Sequence, residues 1–122
     1  MVLETFLKEL DIEFKEIEYD KNSSIFKLNS KVNLVCMESK SSAFAIERDL
    51  YYYLDNQKIE YYFLLINKND NKYFLLPFNK FSNWLKGSFD SCDKDEIYFG
   101  KVVLQNEINA KQLATSLVKV SK

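Results

Sequence analysis

Among the 122 residues, the pair whose types and spacing could do chemistry together is Glu38 and Lys40. They close the stretch 32–40 (VNLVCMESK), and residues two apart on a strand project from the same face. A carboxylate there can hold Mg²⁺ or Mn²⁺, which take oxygen ligands. A neighbouring ammonium can orient or help deprotonate a water and stabilise charge developing on a phosphate. Those are parts of metal-assisted phosphodiester hydrolysis, which also needs a further carboxylate near the metal. Acid-x-Lys spacing is common by itself, since about two such triplets arise by chance at this composition. Three are present: Glu13 with Lys15, Glu38 with Lys40, and Asp70 with Lys72. Glu38 stands apart because it ends an apolar stretch that leads into helical spacing. The plain alternative is a surface salt bridge at a strand end, worth about 0–1 kcal/mol.

Composition removes several other chemistries. The chain has no His, so imidazole acid–base catalysis, His-based triads and His metal ligands are excluded. Two isolated cysteines, Cys36 and Cys92, build neither a four-Cys zinc site nor a disulfide framework. Cys36, between Val35 and Met37, reads as a buried small hydrophobe. Only two Gly and one Pro leave few places for a backbone to cradle a phosphate. No apolar run reaches the ~18 residues of a membrane span, and the opening MVLETFLKELD is acidic, unlike a signal peptide. A cytoplasmic protein that does not engage membranes is expected. With 47% hydrophobic residues and a net charge of -1, it has material for one real core and is not a disordered chain.

The elements that must position Glu38 follow from periodicity. Residues 2–10 put Val2, Leu3, Phe6, Leu7 and Leu10 on one helical stripe. Strands are expected at 12–19, 25–28 and 32–40, separated by polar turns. Residues 46–57 return to helical spacing, and 61–66 and 73–76 read as a hairpin stopped by Pro77. A helix over 78–86 is expected to stop at Gly87. A strand over 96–104 and a helix over 107–119 close the chain. The predicted order is α-β-β-β-α-β-β-α-β-α.

A helix, three strands with acid-x-Lys closing the third, a helix and another strand resemble the core of the PD-(D/E)XK nuclease superfamily. Residues 4–85 look most like the archaeal Holliday-junction resolvases. The run VNLVCMESKSSAFAIERDLYYYLDNQKIEYYFLLI resembles their strand, ExK, short extended piece, helix and next strand, and KYFLLPFNKF resembles the strand after it. The resemblance implies an α/β fold with a central mixed β-sheet flanked by helices. It implies one domain over 1–122, with a nuclease-like core at about 2–86 and an added strand and helix at about 96–120. It further implies a homodimer that cuts branched DNA with Mg²⁺ or Mn²⁺, Glu38 holding the metal and Lys40 serving the attacking water. Glu4, on the first helix, sits where many of these nucleases carry an additional acid. Their defining Asp belongs at the start of the second strand, where this chain has Asn22-Ser23-Ser24-Ile25 and no acid. Asp20 lies a few residues earlier and replaces it if the turn folds back over Glu38.

Charge and aromatics leave the function open between two nuclease-fold readings, and they also fit a small acidic inhibitor or interaction protein with no nuclease ancestry. Residues 1–22 carry seven acids against three lysines, while 65–86 carry four lysines and one acid. A local basic patch of Lys40, Lys68, Lys72, Lys80 and Lys86 could meet a nucleic acid, although the overall charge lacks the basic excess of a tight nonspecific binder. Tyr51, Tyr52 and Tyr53 point three ways on a helix, so one or two rings are exposed for a base, a partner or a second copy. Trp84 reads as core or interface, and Arg48 as either a phosphate clamp or a helix-surface ion pair with Glu47 or Asp55. The first reading is a metal-dependent endonuclease hydrolysing DNA. The alternative is a catalytically inactive nuclease fold that binds protein or nucleic acid.

Overall fold

The computed structural model describes residues 2–20, 23–29, 32–41, 43–56, 60–91 and 93–122, with side chains for all of these except 2, 18–20, 101 and 102. The apolar stripe of the N-terminal segment makes α1 (Val2–Glu9), which buries Leu3 and Leu7. Asp11 ends it in the left-handed region at φ 55, with its N–H donating to the Lys8 carbonyl (3.2 Å) and that of Ile12 to Leu7 (2.9 Å). This is a Schellman closure, in which glycine is the usual left-handed residue. Asp11→Gly is therefore expected to stabilise the protein by about 0.5 kcal/mol. An unchanged or lowered urea midpoint would count against that account of the turn.

Three strands follow, β1 (Lys15–Asp20), β2 (Ser23–Lys27) and β3 (Val32–Ser39), paired as an antiparallel meander. After β4 (Ala45–Glu47) comes α2 (Arg48–Asp55), whose crossover lets β5 (Glu60–Asn67) lie parallel to β3. Next, β6 (Lys72–Pro77) forms a hairpin with β5 and ends on its proline. The chain finishes with α3 (Phe78–Ser91), β7 (Glu96–Tyr98), α4 (Lys101–Leu104), β8 (Glu107–Ile108) and α5 (Ala110–Val120). The main sheet has the order β1-β2-β3-β5-β6-β8, and β4 pairs with β7 in a small second sheet. An α/β fold with a central mixed sheet is thus present.

Alternation divides the core into two layers. Ile25, Val35, Met37, Phe63, Leu65 and Phe74 face the side covered by α2 and α3, where Leu50, Tyr51, Leu54, Leu85 and Phe89 meet them. Phe26, Leu34, Cys36, Leu64 and Ile66 face the other side, covered by Leu3 and Leu7 of α1 and Leu113 and Leu117 of α5. The apolar runs of β3 and β5 are explained by this: both strands are interior and covered on both faces.

The C-terminal third departs from the local pattern. Gly87 does not stop its helix; α3 continues to Ser91 because Phe89, one turn beyond Leu85, is also buried and stacks on Tyr51 at 5.4 Å. The expected strand over 96–104 is only three residues long. Gly100, at φ 61, turns the chain into α4, which buries Val103. Residues 107–108 extend the main sheet beside β6 before α5 begins behind an Asn109–Gln112 capping box. Among the described residues, no helix is long and apolar enough to cross a membrane.

Candidate functional site

The site begins with the register of three strands. Glu38 shares the face of Leu34 and Cys36, so it lies on the side covered by α1. Ser24 faces Cys36 across the β2–β3 pair, and Glu16 faces Phe26 across the β1–β2 pair, both on that same side. The Ser24 hydroxyl donates a 2.8 Å hydrogen bond to Glu16 Oε2. Glu4 reaches the same place from α1 and is hydrogen-bonded to Glu16. Glu4 from α1 and Glu16 from β1 thus pair beside Ser24, and Glu38 of β3 lies on the same face of the sheet. Glu4 was legible in the sequence. Glu16 was not, because only the folded register puts it beside Ser24. The Asp20 side chain lies outside the described residues; its backbone faces Ser23 at the end of β1.

The two paired acids perturb each other in opposite directions. A hydrogen bond to Glu4 pushes Glu16 above its ordinary value, and burial and the Glu4 charge push the same way against the Ser24 hydroxyl. The same hydrogen bond, seen from Glu4, holds Glu4 below its ordinary value. The folded protein keeps the Glu16 proton after the unfolded chain has lost it, so that contribution fades as pH rises through the raised value. Glu4 works in reverse, contributing above its ordinary value and losing it as pH falls through the lowered one. The pair is most favourable between those limits. Glu16→Gln keeps a donor for Glu4 and an acceptor for Ser24 without the proton. Its melting temperature is expected to gain on wild type as pH climbs from the ordinary carboxylate value toward neutrality, and parallel profiles would refute the upward shift of Glu16.

A cation that the sequence did not single out stands at Glu38. Lys68 Nζ lies 3.8 Å from Glu38 Oε1, brought there by the parallel register that sets Ser39 opposite Asn67. Lys40 lies one residue beyond β3 and is exposed, so the strand pleat does not hold it on the Glu38 face. Of the expected basic patch, Lys40, Lys68 and Lys72 gather at the end of β3 and around the β5–β6 turn. Lys80 and Lys86 instead lie on α3, in the opposite helical layer.

Other residues take structural roles. Cys36 is fully buried, and burial drives its thiol far above the ordinary value, with the Glu38 and Glu16 charges adding to this. It is no nucleophile. Cys92 lies outside the described residues. Arg48 donates from Nε and Nη2 to the Lys94 carbonyl (3.0 and 2.7 Å) and from Nη2 to the Phe89 carbonyl (3.3 Å). The cleft beside it is lined by Glu47, Asp49, Asp95 and Glu96, an acidic wall that repels a phosphate. Trp84 is not core: it is 42% exposed on α3. Tyr51 is buried, with its hydroxyl on the Ser82 carbonyl, while Tyr52 and Tyr53 are exposed as the helical spacing required.

The donor set suits a hard cation, being all carboxylate and hydroxyl oxygen. The Lys68 ammonium already stands at Glu38. Among the described residues, however, no three acids or cysteines close on a single point that could hold a metal ion. No family model, curated protein or solved structure matches the chain.

Proposed function

We propose that this chain is a metal-dependent endonuclease-like protein with a PD-(D/E)XK-type core, hydrolysing DNA phosphodiesters with Mg²⁺ or Mn²⁺. The observation that carries the reading is that the Glu4–Glu16–Ser24 cluster and Glu38 occupy the same face of the sheet. The family's missing acid is supplied, on this reading, by Glu16 from the neighbouring strand rather than by Asp20. The order α1, β1, β2, β3, β4, α2, β5, with β3 and β5 as the one parallel pair among the described residues, supports the fold half of the proposal. Glu38, Glu4 and Glu16 would hold the cation, whose role is to polarise a phosphoryl oxygen and lower the pKa of a water. Ser24 positions the Glu16 carboxylate. Lys40 and Lys68 supply ammonium charge toward a phosphate.

A second reading, an inactive nuclease fold acting as a binding module, is favoured by the failure of three acids to converge among the described residues. The two separate in one assay. Labelled duplex, single-stranded and four-way-junction DNA are incubated with Mg²⁺ or Mn²⁺, beside a Glu38→Ala control. Cleavage lost in the control supports the enzyme; no cleavage of any substrate with either metal leaves the binding module. A homodimer belongs to the same proposal. Tyr52, Tyr53 and Trp84 are exposed on α2 and α3, so pairing there leaves both carboxylate faces outward. Sedimentation showing a monomer at high micromolar concentration would rule it out.

A further inference from the structure

We propose that Lys15, Lys27 and Asn33 form a binding site for a phosphate-type oxyanion, on the sheet face opposite Glu38 and at the other end of β3. The site does not depend on the nuclease reading. Strand pairing builds it. Lys15 lies directly across from Lys27 in the β1–β2 pair, Lys27 from Asn33 in the β2–β3 pair, and Asn33 from Tyr61 in the parallel β3–β5 pair. Residues opposite one another share a face, so the four make one row across the sheet. Ile25, Val35 and Phe63, each two residues along its strand from a member of the row, place it on the α2/α3 side.

Two independent features of the row call for an anion. Both lysines are exposed, and among the described residues neither makes an ion pair. Like charges directly opposite on antiparallel strands repel, and an anion between them turns that repulsion into attraction. The second feature is Asn33, which is 1% exposed and has no hydrogen-bond partner at either Oδ1 or Nδ2. Buried polar groups left in that state are rare and costly. The amide carries two N–H donors. On one side the Tyr61 hydroxyl approaches it and can accept one of them; on the other, the Lys27 ammonium can accept none. At least one N–H therefore lacks an acceptor, and an oxyanion brings both the acceptor and the charge the lysines need.

Access is from the edge of the sheet. β1 is the outermost strand, and Ile17, next to Lys15 on the same face, is 37% exposed, so α2 and α3 stop short of it. At the ends of β1 and β2 a cleft of about 300 Å³ opens between Glu13, Phe14, Lys15, Lys27, Leu28 and Asn29. Glu13 sets one carboxylate against the two ammoniums, which leaves the cleft net positive. A phosphate seated there has both lysines around it, with Asn33 one strand spacing, about 5 Å, beyond Lys27.

The test follows the isotope-labelled full chain by nuclear magnetic resonance at low salt, with inorganic phosphate, a nucleoside monophosphate and a short single-stranded DNA as probes. The Asn33 side-chain amide resonances are expected to shift saturably with at least one of them. Binding should weaken about tenfold in Lys15→Gln and in Lys27→Gln. It should stay unchanged in Lys80→Gln, which alters an exposed lysine of α3. Saturation by phosphate or the mononucleotide assigns the site to small phosphate-bearing molecules, and saturation by the DNA alone assigns it to a nucleic-acid backbone. No shift at Asn33 with any probe overturns the site, as do equal affinities across the three lysine variants. Glu38→Ala should bind the same probe as wild type does, so the result stands whether or not the endonuclease reading holds.

Discussion

On the proposed endonuclease reading, replacing Glu38 with alanine is expected to lower Mg²⁺-dependent DNA cleavage by on the order of 10²–10³-fold while leaving the fold standing. The two effects separate because Glu38 sits at the end of β3. Its ion pair with partly exposed Lys68 is worth no more than about 1 kcal/mol, so the melting temperature should barely move. Activity that survives the substitution would remove Glu38 from the chemistry. The complementary variant is Ser24→Asp, which adds a carboxylate opposite Cys36 and against Glu16. Ser24 is 1% exposed, so this charge is buried beside two other acids and should cost about 2 kcal/mol or more without metal. Millimolar Mg²⁺ should recover much of that loss, because a ligand of the folded state alone stabilises it by mass action. A melting temperature that ignores Mg²⁺ would show that no cation site lies there.

Arg48→Ala is expected to destabilise the protein by about 3 kcal/mol without weakening metal binding. Its guanidinium crosses from the start of α2 to the Lys94 and Phe89 carbonyls and lies over the Phe89 ring at 5.3 Å. The backbone follows the same route, with the Arg48 N–H donating to the Asp95 carbonyl at 2.7 Å. Removing the side chain therefore loosens α2, the end of α3 and the approach to β7 together. Lysine should recover little, since a single ammonium cannot serve two carbonyls and a ring as a planar fork does. Chemical denaturation of the three proteins checks this, and a loss below about 1 kcal/mol would reduce Arg48 to a surface charge. Because Arg48 packs on the α2/α3 side of the sheet, the proposed cation site on the α1 side serves as the internal control.

Local periodicity was enough for α1, for the interior strands β3 and β5, for the hairpin and for the stop at Pro77. In each, the apolar spacing within one segment already encodes which face is buried. It failed where a distant segment decides. Residues 45–47 form a strand only because residues 96–98 pair with them. Gly87 stays helical only because Phe89 finds Tyr51. Residues 107–108 join the sheet only because the edge of β6 is there to receive them.

The same division runs through the candidate site. Glu38 at the end of a buried strand, and Glu4 on the helix before it, follow from the chain's own pattern of apolar and charged residues. Which acid meets Glu4, and which ammonium meets Glu38, do not. Those depend on β2 lying between β1 and β3 in one register, and on β5 running parallel to β3 in another. A shift of one residue in either pairing turns every side chain of that strand to the opposite face. Glu16 and Lys68 are thus brought to the site by long-range strand pairing, which leaves no mark in the residues around them.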